Sequence, residues 1–392
     1  MKKLVALLMA ATMVLSLCAC GGTPAEAPTE NVELEEVPDS ENTTENIDMK
    51  AVYQEAVELE GRQKYAEAAI AFGKIADYED ARERSFANWE QVVRYDTISA
   101  GSNHTVAIKN DGTVIAVGKN DGGACDVSEW TDIISVSAGG SQTIGLKADH
   151  TVVATGNKDL TNVSGWTDIV AISAGSIATL GLKIDGTVLY CEMYEGALSE
   201  YDINEWTDVV EVSAAVAKTG TIAYRKLDGH VRVYAKDDKY GQCRTGKWSN
   251  MEAIAAGGYG MIGVDQHGNC EVVGFEGGAN QSVKTIFDNS VKSGEWNDLL
   301  DIAAGQEHIV GLKADGTLCA LHYGEIAYEI GGFPNNTHKG EADVFDWSGV
   351  VAIDAADKQT IALKADGTVL AAGDNSNGEC DVSAWTDIRI PE

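Results

Sequence analysis

Two histidines stand in similar short sequences, Asn103-His104-Thr105 and Glu307-His308-Ile309. A histidine in such a place could act as a general base or bind a metal. General-base chemistry needs a serine, cysteine or carboxylate partner within hydrogen-bond reach, and the sequence identifies no such partner for either histidine. Because both recur in the frame of a repeat, we expect them to make hydrogen bonds that fix a loop. No phosphate loop, HExxH, GxSxG or kinase element occurs, so no catalytic residue is assigned.

The run from Asp374 to Asp381 has the density of oxygen ligands found in calcium loops. The corresponding run from Lys119 to Asp126 has a similar sequence, which favours a turn of the repeat over a calcium site. Six cysteines lie outside the N-terminal segment and form no C-x-x-C pair, so we interpret them as small buried residues with free thiols. They are Cys125, Cys191, Cys243, Cys270, Cys319 and Cys380. We therefore predict no metal and no cofactor.

A tryptophan recurs seven times along the chain, at intervals of 36 to 51 residues. The positions are Trp130, Trp166, Trp206, Trp248, Trp296, Trp347 and Trp385. This period is the length of one four-stranded propeller blade. Since each tryptophan occupies one fixed position per repeat, we expect structural residues packed between blades rather than a surface for stacking ligands.

Asp-Gly pairs between alternating apolar residues, as at Asp111-Gly112 and Asp366-Gly367, indicate two-stranded hairpins with primed turns. The chain ends with a spare Trp-x-Asp-Ile sequence, Trp385 to Ile388, which the first repeat lacks. We expect this C-terminal segment to complete the first blade and close a ring.

The repeated unit Ala-Gly-x-x-His-Thr, Leu-Lys-x-Asp-Gly-Thr-Val and Gly-x-Asn resembles the repeat of the RCC1 family, named for regulator of chromosome condensation. The resemblance covers residues 96–392 and implies a seven-bladed β-propeller. We therefore predict a mainly β fold, an RCC1-like propeller preceded by a short helical segment. The nuclear roles of that family do not carry over to an acidic chain with an export signal.

The N-terminal residues 1–20 have the form of an export signal, with Lys2 and Lys3 before an apolar run. The sequence Leu17-Cys18-Ala19-Cys20 resembles the bacterial lipobox, which implies cleavage before an acylated Cys20. A plain secretory leader is the alternative. Residues 21–48 hold nine acidic residues and no Lys or Arg, and are expected to be an extended linker. The predicted location is therefore outside the cytoplasm, with a lipid anchor in the membrane.

Residues 49–95 show apolar residues at helical spacing. The run Tyr65 to Phe72 followed by Asp77-Tyr78 resembles a tetratricopeptide-type helical hairpin. A single unit of that type does not stand alone, so we expect it to pack on the propeller as a cap or stalk. A peptide-binding groove and a purely structural or assembly role are the alternatives.

The net charge of −32 argues against a nucleic-acid partner. Two inserts, 276–294 and 322–346, exceed what the repeat needs, and a shorter one lies in the third unit. Loops of this kind are where propellers place recognition, although neutral drift in length explains them equally well. The candidate binding residues in these inserts are Tyr194, Tyr201, Tyr323, Tyr328, Phe333, His338 and Phe345.

These observations favour a cell-surface binding module whose propeller loops recognise a protein, a peptide or a wall glycan. Some bacterial RCC1-like proteins inhibit secreted enzymes, so the resemblance also implies a possible inhibitor. The alternative is an extracellular lyase or hydrolase acting at the central funnel of the ring. Several carboxylates or histidines with perturbed pKa values in the funnel would favour that enzyme.

Overall fold

The computed structural model describes residues 48–120, 122–217, 219–236, 238–274, 289–290, 294–322 and 339–391. These residues form three α-helices followed by seven antiparallel sheets of three strands each. The predicted seven-bladed β-propeller with a preceding helical segment is therefore confirmed. No helix among the described residues is both long and apolar enough to cross a membrane.

The helices are α1 (Met49–Gly61), α2 (Tyr65–Gly73) and α3 (Ala81–Trp89), and a 3-10 helix spans Ile203–Glu205. The strands, three to a blade in chain order, are β1 (Ile98–Ala100), β2 (His104–Ile108), β3 (Val114–Gly118), β4 (Ile133–Ala138), β5 (Gln142–Lys147), β6 (Val152–Gly156), β7 (Ile169–Ala174), β8 (Ala178–Lys183), β9 (Val188–Glu192), β10 (Val209–Ala214), β11 (Ile222–Lys226), β12 (Val231–Tyr234), β13 (Met251–Ala256), β14 (Gly260–Asp265), β15 (Cys270–Gly274), β16 (Leu299–Ala304), β17 (His308–Lys313), β18 (Leu318–His322), β19 (Val350–Ala356), β20 (Gln359–Lys364) and β21 (Val369–Gly373).

The middle strand of each blade is the most deeply buried, and the recurring tryptophan packs against it. A Cβ atom added to Gly181 in β8 would lie 2.7 Å from the ring of Trp166, and Gly145 stands in the same relation to Trp130 at 2.8 Å. The tryptophan ring occupies the space that a side chain at the glycine would need, so the two residues form one packing feature. Trp166, Trp206, Trp248, Trp296 and Trp385 are buried, whereas Trp130 and Trp347 are half-buried.

Each blade has three strands in the described part of the chain. The prediction of a fourth strand per blade is wrong for this part. The segment after β3 instead forms a turn that is held by hydrogen bonds of its own polar side chains. Asn120 accepts a hydrogen bond from the Cys125 backbone N–H at 2.8 Å and donates one to Asp126 at 2.8 Å. Because these bonds satisfy groups that a ladder would use, the segment turns back without pairing as a strand.

The hairpin turns are also not of the primed type. In the first blade the Gly112 N–H donates to the Lys109 carbonyl at 2.9 Å, and the Lys109 N–H donates to the Thr113 carbonyl at 2.9 Å. Only Gly112 has a left-handed backbone, with φ at 80°, whereas a type I′ turn needs two such residues. The loop is a three-residue turn followed by a bulge, in which Asp111 accepts from both the N–H and the hydroxyl of Thr113.

The ring closes through a strand shared between the two ends of the propeller. Ile388 pairs with Lys109 in the register that Ile133 and Lys147 occupy in the second blade. The Arg389 N–H donates to the Ile108 carbonyl at 2.9 Å, and the Ile108 N–H donates to the Thr97 carbonyl at 2.8 Å. The inner strand of the first blade is therefore split, and the C-terminal segment supplies its outer part, as expected.

The strand directions define two faces of the ring. The hairpin face carries the turns between the second and third strands of each blade, such as 109–113 and 147–151. The connection face carries the turns between the first and second strands and the start of each described link to the next blade, such as the one after Glu192. The names hairpin face and connection face are used in this sense below.

The helical segment packs on the hairpin face. Trp89 is fully buried and its indole N–H donates to the Ile184 carbonyl in the turn of the third blade at 3.0 Å. Phe86 stacks on His150 of the second blade with ring centroids 3.6 Å apart. Lys74 pairs with Asp208 at 3.1 Å, and Arg82 pairs with Asp168. The segment is therefore a cap on blades two to four, as the sequence indicated.

Candidate functional site

An axial cavity of about 330 Å³ runs along the inner strands of all seven blades. Alanine and serine are common in its walls, because small residues fit where seven strands converge. Arg94 and Asp96, from the segment that leads from α3 to β1, also line this cavity. We refer to it as the axial channel.

A ring of side-chain hydrogen bonds joins neighbouring blades inside the channel. The Ser137 hydroxyl accepts from the Ala174 N–H of the next blade at 2.9 Å. The same bond joins Ser99 to Ala138, Ser173 to Ala214 and Ser213 to Ala256, each at 3.0 Å. At the corresponding place in the seventh blade Asp354 accepts from the Ala100 N–H at 2.8 Å and from the Ser99 hydroxyl at 2.9 Å. Asp354 therefore joins the last blade to the first.

Two more carboxylates, Glu211 and Asp301, line the channel. They occupy the same position in the inner strands of the fourth and sixth blades. Glu211 accepts from the Arg225 guanidinium at 2.7 Å and from the Ile254 N–H at 3.0 Å. Asp301 lies 3.5 Å from the Arg94 guanidinium and accepts from the N–H of the following residue, Ile302, at 2.9 Å. Each of the two is thus held by a cation and a backbone donor.

The channel raises the pKa of three of its carboxyl groups. Burial raises the pKa of Asp354 to about 6, and burial likewise raises that of Asp301 to about 6 against the opposing charge of Arg94. Enclosure by protein, followed by repulsion from Asp354 and Asp301, raises the pKa of Asp96 to about 8. Asp96 nevertheless remains exposed to the water of the channel.

A carboxyl group with a pKa near neutrality can act as a general acid or base. Several carboxyl groups with raised pKa values in the funnel are a feature expected of an enzyme that acts there. Asp354, Asp301 and Glu211 are, however, engaged in bonds that hold the ring together. Asp96 and Glu252 also line the channel, and neither side chain accepts a hydrogen bond within the described residues. No cluster of His, Cys, Asp or Glu suited to a metal ion occurs in the part of the chain that the structure describes.

Sequence reasoning missed the channel carboxylates, although a signal for them exists. Aligned by strand register, the position of Glu211 and Asp301 is Ser135 in the second blade and Ala171 in the third. A charged residue in a column of serine and alanine departs from the repeat. Comparing the blades column by column would have identified both residues.

The two recurring histidines fix the connection face, as their place in the repeat suggested. His104 is buried, with its Nε2 atom 3.0 Å from the Thr143 hydroxyl, which itself donates to the Ala124 carbonyl at 2.7 Å. That hydroxyl has one proton, so His104 Nε2 is the donor in the first bond. Burial lowers the pKa of His104 to about 4. His308 and Thr360 repeat the arrangement at 2.8 Å, with Thr360 donating to the Glu341 carbonyl.

The run from Asp374 to Asp381 forms the same turn as the corresponding run of the first blade. Asn375 accepts from the Cys380 N–H at 2.9 Å and donates to Asp381 at 2.9 Å. The six cysteines outside the N-terminal segment carry free thiols, three of them buried and three half-buried.

Two predicted binding residues, Tyr194 and Tyr201, lie at the connection face beside the fourth blade. The side chain of Tyr194 is 46% exposed, and its hydroxyl accepts from the Lys236 ammonium at 2.7 Å. Tyr201 stacks on Tyr234 with centroids 5.0 Å apart, and Tyr234 stacks on buried Trp206 at 5.5 Å. Phe345 is exposed. Cys20, Tyr323, Tyr328, Phe333 and His338 lie outside the described residues, as do residues 1–47 and most of the two long inserts.

Comparison with known proteins supports the propeller. The model of the regulator of chromosome condensation (RCC1) repeat matches residues 96–124. The chain is similar to the CRINKLY WD40 ectodomain of the Arabidopsis thaliana receptor kinase ACR4, with 15% identity and a TM-score of 0.51 over 76% of this chain and 99% of that one. It is similar to the ectodomain of the Physcomitrella patens receptor kinase CR4, with 14% identity and a TM-score of 0.50 over 71% and 73%.

Prp20p from Saccharomyces cerevisiae matches with 13% identity and a TM-score of 0.46, over 78% of this chain and 88% of that one. No curated protein sequence matches the chain. The fold is an RCC1-like propeller. At these identities the likeness concerns the fold and does not extend to a ligand.

Proposed function

We propose that this protein is a binding module, anchored outside the cytoplasm through Cys20, whose connection face recognises a protein, a peptide or a wall glycan. The observation that carries the proposal is the aromatic surface of Tyr194 and Tyr201. Such tyrosines provide large contact area with little loss of side-chain freedom. The anchor and the location rest on the sequence of residues 1–20.

The tyrosines are held firmly before any partner binds. Glu192 accepts from the N–H groups of Gly196 at 2.7 Å and Leu198 at 2.8 Å, which orders the loop between them. Tyr201 lies against Tyr234, which rests on the buried Trp206. A surface that is already ordered loses less entropy when it binds.

Affinity capture from a native cell-surface extract tests this proposal. The bait is the chain from residue 49 onward, compared with a variant in which the 276–294 and 322–346 inserts are shortened and with Tyr194→Ala. Met49→Ala is the matched control, because Met49 is 47% exposed but lies on α1. A partner lost by Tyr194→Ala or by the shortened variant, and kept by Met49→Ala, supports the proposal. A partner held equally by all forms, or by none, contradicts it.

A second candidate function is catalysis in the axial channel, and the raised pKa of Asp96 is the observation that favours it. In this reading Asp96 is the general acid or base of a lyase or hydrolase. Screening glycan and peptide substrates with the wild type and Asp96→Asn tests the idea. Turnover that the substitution abolishes would establish an enzyme, and turnover that it leaves intact would exclude Asp96 from the reaction.

A further inference from the structure

A second cavity, of about 1230 Å³, lies on the hairpin face and shares only Val93 with the lining of the axial channel. Its floor is the seam of the ring, with Ile388, Arg389 and Ile390, and its wall is the segment that follows α3. The volume exceeds the range of roughly 300 to 1,000 Å³ that is usual for small-molecule sites. We refer to this cavity as the seam groove.

The charges that line the seam groove are mostly negative. Glu90, Asp366 and Asp387 provide three carboxylates, and Arg389 is the one cation among the lining residues. The Arg389 guanidinium donates to the Ile133 carbonyl at 2.9 Å and the Asn110 carbonyl at 3.4 Å. This cation is therefore used to close the ring.

The carboxylates of the seam groove make few bonds within the described part of the chain. Hydrogen bonds from Thr368 lower the pKa of Asp366, and its distance of 3.6 Å from Lys364 is that of a weak surface pair. Asp387 accepts from the Asn110 side chain with one oxygen. Glu90 is exposed at the end of α3.

Apolar side chains lie between these charges. Val93, Tyr95, Ile134 and Ile390 line the seam groove, and Ile390 is 40% exposed. Burial raises the pKa of Tyr95 to about 12, so its ring stays neutral. A ligand that fits must combine positive charge with apolar side chains.

We propose that the seam groove binds a basic amphipathic peptide segment of a partner protein. Charge argues against two other occupants of the groove, the linker 21–48 and a second copy of this protein. The linker 21–48 has nine acidic residues and no basic ones, and a second copy would bring its own net charge of −32. The site is on the face opposite the tyrosines, so it stands or falls independently of the proposed function.

The test measures binding of a fluorescent lysine–leucine peptide to the full-length protein by anisotropy. A glutamate–leucine peptide of equal length is the control ligand, and spermidine is the competitor. Glu90→Lys is paired with Glu83→Lys, which makes the same charge change at an exposed site of α3 outside the groove. Asp366→Asn is paired with Asp315→Asn, the corresponding turn residue of the sixth blade.

We expect Glu90→Lys to weaken binding about tenfold and Glu83→Lys to change it by less than about twofold. Gln91→Trp fills the groove without changing charge, and we expect it to weaken binding as well. Equal weakening by both members of each pair would reduce the effect to general attraction by an acidic protein and overturn the proposal. An unchanged affinity in Gln91→Trp, or binding of the glutamate peptide, would overturn it too.

Displacement of the peptide by spermidine at comparable concentration would reassign the groove to small organic cations. Thermal melting of each variant checks that the fold is kept. Since Glu90 and Gln91 are exposed, unchanged melting is expected for both.

Discussion

The hairpin face and the connection face are built from the same repeat but differ in regularity. On the hairpin face the Asp–Thr bonds of the turn recur almost unchanged, as at Asp111–Thr113 and Asp366–Thr368. On the connection face the links vary in length and composition, and one of them carries Tyr194 and Tyr201. A regular row of turns gives helices a surface to pack on, whereas irregular links leave room for recognition.

The aspartates of the Trp-x-Asp sequences show how the regular face accepts a cap. Asp168 and Asp208 have left-handed backbones, with φ at 61° and 56°, which turn the chain into the next blade. Their side chains also pair with Arg82 and Lys74 of the helical segment. One residue type therefore shapes the turn and positions the helices.

Removing residues 385–392 is expected to have the largest effect on the ring. The deletion removes buried Trp385 and the Ile388–Lys109 pair, so the first blade loses the outer part of its inner strand. We expect loss of cooperative unfolding or insoluble protein, measured by calorimetry. Deleting 21–47 is the control and should leave the transition unchanged. Equal melting of the two deletions would show that the seam is dispensable.

Trp89→Ala tests whether the cap is part of the folded unit. Loss of this fully buried ring and of its bond to Ile184 should cost about 3–5 kcal/mol in the free energy of unfolding. Tyr194→Ala on the other face should cost less than about 1 kcal/mol, because that side chain is 46% exposed. Denaturant titration measures both. Similar losses from the two would remove the contrast between the faces.

His104 should make the connection face sensitive to acid. Its pKa is about 4 in the folded protein, below the ordinary value of 6.5, so between these values the unfolded chain binds more protons. The free energy of unfolding should therefore fall as pH drops from 6.5 towards 4. His104→Gln keeps a donor, as Gln142 does at the same position of the second blade, and should reduce this dependence.

His104→Ala is the companion to that variant and should cost about 1–3 kcal/mol at pH 7, because it leaves the Thr143 hydroxyl without its donor. Unfolding followed by tryptophan fluorescence across the pH range measures both changes. An unaltered pH dependence in His104→Gln would mean that another group carries the acid response.

The ionisation of Asp96 should change stability with pH in the direction opposite to that of His104, and by a smaller amount. Its folded pKa of about 8 lies above the ordinary 3.8, so in this window the folded protein binds more protons and stability falls as pH rises. Asp96→Asn removes that loss and should raise the Tm by about 1–3 °C at pH 8, and by less at pH 4. The modest size reflects the exposure of Asp96 to channel water. A greater gain at pH 4 than at pH 8 would refute the assignment.

The architecture could be predicted from the sequence because each repeat contains residues that specify one blade. The tryptophan period and the Asp-Gly turns each report a local feature that recurs along the chain. The packing of Trp166 on Gly181 recurs in two other blades, and the Asp–Thr bonds of the hairpin turn occur in five blades. The number of strands per blade and the type of hairpin turn were harder to predict from the sequence. They depend on whether Asn120 bonds its own loop and on the φ angles of single residues.

The carboxylates of the axial channel were not predicted because they come from segments that are far apart in the sequence. Asp96, Asp301 and Asp354 are up to 258 residues apart in sequence, and only ring closure brings them together. Tyr194 and Tyr201 could be found because they lie in one short insert. Their support by Tyr234 and Trp206 again depends on contact between blades.

The split inner strand of the first blade also constrains when the protein can finish folding. Thr97 and Ile98 are synthesised nearly three hundred residues before Ile388, yet they share one strand with it. Until the last repeat emerges, the Ile108 carbonyl and Lys109 lack their C-terminal partners, and any partly made propeller is an open arc. Under the export proposed for this protein, ring closure would wait until the last repeat has crossed the membrane.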